Sequence, residues 1–199
     1  MSKLLILYGT TDGHTAKIAR FLASEFRTFV GVSVDVVEAG TDNPDPRDYD
    51  GVIVAASVHR GGYQRRVVRW AREHARQLSG KPSAFLSVCL GVLQQDLEVQ
   101  RDLVAITNRF EAQTGWKPPR IKLVAGALKY TRYGWLKRIV MSYMAAKAGG
   151  STDMSRDHEY TDWADLREFA EAFWAMCRVI ARCECGEVAA EPRVLAKAG

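Results

Sequence analysis

Six consecutive residues, Thr10-Thr11-Asp12-Gly13-His14-Thr15, place three hydroxyls and a glycine between two patterns that should hold them in position. The apolar run Leu4-Leu5-Ile6-Leu7-Tyr8 reads as a buried strand and stops at Gly9. After the loop, Ile18, Phe21, Leu22, Phe26 and Phe29 recur at helical spacing. A strand, a hydroxyl-rich turn and a helix N-terminus together make an anion site. Unpaired backbone N–H groups and the positive end of the helix dipole point into the loop. An ordinary N-capped strand–helix turn carries the same local pattern, so the rest of the chain has to decide between them.

Two more loops of similar composition follow buried strands. Gly51-Val52-Ile53-Val54-Ala55-Ala56 is a near-continuous apolar run, as a central parallel strand covered on both faces requires. It leads into Ser57-Val58-His59-Arg60-Gly61-Gly62-Tyr63. Ser83 to Val88 is the next such strand, and Ser87-Val88-Cys89-Leu90-Gly91 leaves it. Between and after them lie helical patterns: Val67, Val68, Trp70, Ala71, Ala75 and Leu78, then Leu97, Leu103, Val104, Ile106 and Phe110 between about Asp96 and Gln113. Val32 to Val37 and Ile121 to Leu128 read as further strands. A last helix begins near Thr161-Asp162-Trp163, with Leu166, Phe169, Phe173 and Trp174 on its core face. Five strands alternating with helices imply an α/β doubly wound parallel sheet with right-handed crossovers. Ligands of such sheets bind beyond the carboxyl ends of the strands, where the three loops lie. The pattern G-x-G-x-x-G is absent after the first strand, which argues against NAD.

The 199 residues are 47% hydrophobic and 26% charged, which suits one globular domain over residues 1–176 and a partly disordered tail over 177–199. No apolar run approaches the roughly 20 residues needed to span a bilayer. The N-terminus carries no export signal, so a cytoplasmic location is expected. Cys89, Cys177, Cys183 and Cys185 have no zinc spacing and no clear disulfide framework, so reduced thiols and no metal are expected. The formal charge of +5 is local. Lys129, Arg132, Lys137, Arg138 and Lys147 fall in a stretch from Lys129 to Thr152 that holds no acid, and the remainder is formally neutral.

With these elements in place, the stretch Thr10 to Thr15 resembles the phosphate loop of flavodoxins. The similarity extends to the flavodoxin-like, quinone-dependent protoporphyrinogen dehydrogenases of the haem pathway. It is carried by Ala56-Ser57 with Tyr63, by Pro82 to Phe85 with Ser87-Val88, and by Ala125-Gly126-Ala127-Leu128 with Tyr130, Arg132 and Tyr133. Gly149-Gly150 and Tyr160-Thr161-Asp162-Trp163 complete it, over about residues 3 to 176. The resemblance implies a flavodoxin-like five-stranded sheet of order 2-1-3-4-5, FMN as cofactor, and oxidation of protoporphyrinogen IX with electrons passed to a membrane quinone such as menaquinone.

FMN carries one phosphate dianion, which one helix N-terminus and hydroxyls can hold without a lysine. Thr10, Thr15 and the N–H groups of Thr11 to Thr15 are therefore the expected phosphate ligands. Asp12 departs from the family pattern, and a carboxylate facing a dianion costs binding energy, so it should point away and cap the helix. Ser57, Val58, His59, Arg60, Gly61 and Tyr63 should pass one side of the isoalloxazine, and Ser87, Val88, Cys89, Leu90 and Gly91 the other. Tyr63 and His59 are the nearest candidates to stack on the ring, with a core position the alternative for Tyr63. No catalytic acid or base stands out.

Trp135, Leu136, Ile139, Val140, Tyr143 and Met144 share one helical face within the basic segment, expected to be an insert over 129–160. An insertion helix packed on the core is one reading. The other is a basic amphipathic element on an anionic membrane surface, which would place the protein peripherally at the inner face of the cell membrane. In that reading Lys129, Arg132, Trp135, Lys137 and Arg138 touch membrane or substrate, and Arg132 or Arg138 pairs with propionates. No nucleic-acid motif accompanies the cations. A homo-oligomer is compatible with the sequence and not required by it. Two further functions fit the fold: an electron-carrying flavodoxin, which a basic chain disfavours, and an NAD(P)H:quinone reductase.

Overall fold

The computed structural model describes residues 1–59, 61–93, 97–128 and 158–184. Five parallel strands form the sheet: β1 (Ser2–Gly9), β2 (Val32–Glu38), β3 (Gly51–Ser57), β4 (Ser83–Cys89) and β5 (Ile121–Ala125). Their order is β2-β1-β3-β4-β5, so the chain reverses direction across the sheet between β1 and β3. Gly9 pairs with Ala56, Ser57 with Val88 and Cys89 with Ala125, which brings the carboxyl ends of β1, β3, β4 and β5 to one edge.

Alternation along each strand divides the core into two layers. Leu4, Ile6, Ile53, Ala55, Leu86 and Val88 pack under α1 (His14–Phe26) and α5 (Trp163–Glu184), whose Ile18, Leu22, Phe26, Leu166 and Phe173 are fully buried. Leu5, Leu7, Val52, Val54 and Phe85 face the other way. There they meet α2 (Arg65–Glu73), α3 (Ala75–Ser79) and α4 (Leu97–Thr114) through Val67, Trp70, Leu78 and Phe110, with Trp116 just beyond α4. Each such buried aliphatic or aromatic side chain is worth about 1.5–3 kcal/mol in apolar transfer. The sheet is thus covered on both faces, as its unbroken apolar strands require.

Several expectations shift in detail. The pattern from Val67 to Leu78 is two helices, because the chain turns at His74 (φ −112°, ψ 16°). Ile121 to Leu128 is not one strand. β5 ends at Ala125, and beyond Gly126 the chain forms β6 (Ala127–Leu128), which pairs antiparallel with β7 (His158–Glu159). On α4, Leu97 and Val104 are exposed, at 73% and 57%, while Leu103, Thr107, Phe110 and Thr114 form the buried stripe. The two threonines can be buried because each hydroxyl donates to the carbonyl four residues back, at 2.9 Å. The boundary expected at residue 176 falls inside α5, which places Cys177 in the core and runs on to Glu184. The Asp162 carboxylate caps the start of α5 by accepting the Asp165 N–H at 3.0 Å. Among the described residues no helix is long and apolar enough to cross a membrane.

Candidate functional site

The loop after β1 is closed by its own side chain. Thr10 Oγ1 accepts the Gly13 N–H at 2.9 Å, which leaves the hydroxyl hydrogen available to donate. Gly13 adopts φ 83°, a left-handed conformation that a side chain would strain, and it occupies the N-cap of α1. Gly13 rather than Asp12 is therefore the N-cap residue of this helix, contrary to expectation. The first-turn N–H groups have no partner within the helix. Thr15 lies in that turn and is 1% exposed, and its hydroxyl has no hydrogen-bond partner. Leaving a buried hydroxyl unpaired costs about 1–3 kcal/mol by protein mutational data. A phosphate at this N-terminus would meet the hydroxyls of Thr10 and Thr15 at the positive end of α1, so the loop fits the phosphate of FMN.

Side chains from distant parts of the chain hold this loop. Gln64, at the N-cap of α2, donates from Nε2 to Ser57 Oγ at 2.6 Å and to Thr11 Oγ1 at 3.2 Å, linking the first two loops. Gly9 makes room for this helix, since a Cβ there would come within 2.5 Å of Val67 Cγ2 and 3.0 Å of Gln64 Oε1. On the other side, His14 is buried and its Nε2 lies 2.6 Å from Thr161 Oγ1. Thr161 spends its single hydroxyl hydrogen on the Ala125 carbonyl at 2.7 Å, so Nε2 of His14 carries the proton that it donates. The His14 side chain thus faces the Tyr160–Trp163 segment. Lys17 pairs with Glu159 at 2.6 Å and Trp163 Nε1 donates to Glu159 at 2.8 Å, which fastens β7 to α1. Gln64 and Thr161 carry no ligand-type signal in sequence. Only the Tyr-Thr-Asp-Trp resemblance points at the second.

The remaining loops differ from expectation in which groups they offer. His59 and Gly62 exchange backbone hydrogen bonds at 2.8 and 3.2 Å around a turn whose Gly61 has φ 73°. His59 is exposed at this turn, and Val58 donates its N–H to the Val88 carbonyl at 2.9 Å. Tyr63 is a core residue: its ring packs edge-on to Phe85 at 4.9 Å and Phe110 at 5.3 Å. Its hydroxyl donates to Ser87 Oγ at 2.8 Å. Burial pushes the Tyr63 hydroxyl above its ordinary range, so it is protonated at neutral pH. Ser87 and Val88 are buried, at 1% and 3% exposure, with their side chains in opposite core layers. Cys89 is half-buried, and burial likewise raises its thiol, so it is not a thiolate nucleophile. Leu90 and Gly91 begin a short 3₁₀ turn, Leu90–Leu93, that follows β4 directly. Arg60, Lys129, Arg132, Trp135, Lys137 and Arg138 lie outside the described residues, as does the expected insert helix.

A family model for a flavodoxin domain matches residues 5–155. A protein of Escherichia coli K12 named protoporphyrinogen IX dehydrogenase [quinone] is 35% identical over 169 residues, covering 84% of this chain and 92% of that one. The chain belongs to the flavodoxin-domain protoporphyrinogen IX dehydrogenase family. A family member from Leishmania major with the same name is 35% identical over 175 residues, covering 87% of this chain and 75% of its own length. Solved flavodoxins share the fold at lower identity. Oxidised flavodoxin 1 of Bacillus cereus superposes with a TM-score of 0.52 at 16% identity, over 87% of this chain and 98% of that one. A short-chain flavodoxin associated with a non-canonical PDU bacterial microcompartment gives 0.53 at 16%, over 89% and 99%. FMN is the cofactor of such a domain, and doubly wound sheets of this order place it at the β1/β3 switch point, where the loop holding Thr10 and Thr15 lies.

Proposed function

We propose that this protein oxidises protoporphyrinogen IX to protoporphyrin IX in haem biosynthesis and passes the electrons to a membrane quinone such as menaquinone. The observation that carries this reading is the match to relatives of that name over 92% of the bacterial relative's length. The fit of the Thr10–Thr15 loop to a flavin phosphate supports it. FMN, when bound, supplies reversible two-electron chemistry to a reaction that removes six electrons and six protons in all, so three quinones are reduced per porphyrin. The hydroxyls of Thr10 and Thr15 and the first-turn N–H groups of α1 anchor the phosphate. The loops after β3 and β4, with Ser57 and Ser87 at their starts, would flank the ring and shield it from water. Gln64 holds the first two of these loops in register through Thr11 and Ser57.

The basic segment from Lys129 extends the reading to a location. Five cations without an acid, among apolar residues at helical spacing in the sequence, suit an anionic membrane surface where the quinone dissolves. Reversing Lys137 and Arg138 to Glu is expected to weaken sedimentation with phosphatidylglycerol vesicles, and unchanged sedimentation would remove that role.

The activity itself is tested by mixing FMN-loaded protein with protoporphyrinogen IX anaerobically. Porphyrin fluorescence that grows only when menaquinone is added supports the proposal. No porphyrin, together with rapid NADPH-driven quinone reduction, would assign a quinone reductase instead.

A further inference from the structure

An open groove of about 700 Å³ runs between α2 and α4 and opens at the Gly61–Tyr63 loop. Its walls carry four arginines and no acid. Arg65, Arg69 and Arg72 stand at i, i+4 and i+7 on one face of α2, a line about 10 Å long at 1.5 Å rise per residue. Arg109 faces them from α4 and donates to the Gly61 carbonyl at 3.4 Å, which ties the groove to the loop. All four are exposed, and none forms an ion pair among the described residues. The only acid of α2, Glu73, lines a second hollow with Arg66 and Trp70, and Arg69 borders both hollows. Between the arginines the groove is lined by Val68, Ile106, Tyr63 and Phe110. Like charges at helical i, i+4 spacing oppose each other, so this row stabilises nothing by itself. An anion relieves it, and guanidinium pairs with a carboxylate or a phosphate through two parallel hydrogen bonds at a time.

We propose that this groove docks the carboxylate edge of the substrate. A porphyrinogen is a broad apolar macrocycle with two propionates on one edge, which matches an apolar floor flanked by guanidinium groups. The groove opens at one of the loops assigned to the flavin, so a macrocycle held by its propionates would extend toward the cofactor. The inference rests on the proposed activity and identifies which surface recognises that substrate. It differs from the expectation that Arg132 or Arg138 takes the propionates.

The test uses the FMN-loaded full chain in detergent, with protoporphyrinogen IX and its dimethyl ester as alternative substrates and menaquinone in excess. The double variant Arg69→Glu with Arg72→Glu is expected to raise KM for the diacid at least about tenfold and to leave kcat within about threefold, since exposed charges act on binding. KM for the diester should not change. Arg69→Lys with Arg72→Lys should recover part of the loss. Arg178→Glu, an exposed residue of α5 on the opposite face of the sheet, should behave as wild type. An unchanged KM for the diacid overturns the proposal, as does an equal rise for the diester. Loss of phosphatidylglycerol vesicle binding with KM unchanged would assign the groove to a lipid surface and also overturn it. If the wild type oxidises neither porphyrinogen, the proposed activity fails and this assignment falls with it.

Discussion

The ring of His14 donates to the hydroxyl of Thr161, 147 residues away in sequence, at 2.6 Å. This bond joins the first turn of the helix that faces the anion loop to the segment that returns after the basic insert. Two motifs that look independent in sequence are thus one structural unit. Through the second bond of Thr161, to Ala125 at 2.7 Å, the end of β5 is part of it too.

Thr161→Val keeps the shape and removes both bonds. The Nε2–H of His14 and the Ala125 carbonyl would be left buried without partners, at a cost of about 2 kcal/mol. Urea unfolding at neutral pH should show that loss, and FMN should bind several-fold more weakly as the first turn of α1 loosens. A change below about 0.5 kcal/mol, the range of a neutral surface substitution, would mean the contact carries no load.

Thr15→Val should move stability and cofactor affinity in opposite directions. The Thr15 hydroxyl is buried and unpaired, so its removal should leave the apoprotein as stable as before or more so, by up to about 1–3 kcal/mol. The same change removes a donor to the phosphate, worth about 1.5–3 kcal/mol for a hydrogen bond to a charged group, or about 10- to 100-fold in FMN affinity. Fluorescence titration with FMN and with riboflavin separates the effects, because riboflavin has no phosphate to lose contact with. Equal weakening for both ligands would place Thr15 elsewhere than the phosphate.

Alkaline pH should destabilise the fold through Cys177. Burial, and after it the negative charge of Asp50, pushes this thiol from its ordinary 9.0 up to about 12. The folded state keeps a proton that the unfolded chain loses, so stability is complete below about pH 9 and declines as pH rises toward 12. Tyr49, raised to about 12 by burial and by its hydrogen bond to Asp35, adds to the same limb. Cys177→Ala should be less stable at pH 7, from lost packing, yet lose less between pH 9 and 12 than the wild type. Parallel stability curves would contradict this account.

The five strands were legible because each is a local apolar run or an alternating one bounded by glycine, proline or hydroxyl residues, whereas their order followed only from the resemblance to flavodoxins. The three loops followed from the strand ends. What sequence could not show is set by contacts between distant residues. Threonines at 107 and 114 look like surface positions, but they share one helical face with Leu103 and Phe110, and their i−4 hydroxyl bonds let them be buried there. Tyr63 looks like a ring-stacking residue until Ser87 and Phe110 surround it. The arginines at 65, 69 and 72 are visible as a helical row, but a groove exists only once Arg109 stands opposite them.

The central claim is that porphyrinogen electrons enter this protein through FMN and leave it to a quinone. An anaerobic rapid-mixing experiment on FMN-loaded protein tests both halves in one trace. Protoporphyrinogen IX without quinone should bleach the visible flavin absorbance, and menaquinone added next should restore it while porphyrin fluorescence appears. If protoporphyrinogen IX leaves the absorbance unchanged while NADPH bleaches it, the account is wrong.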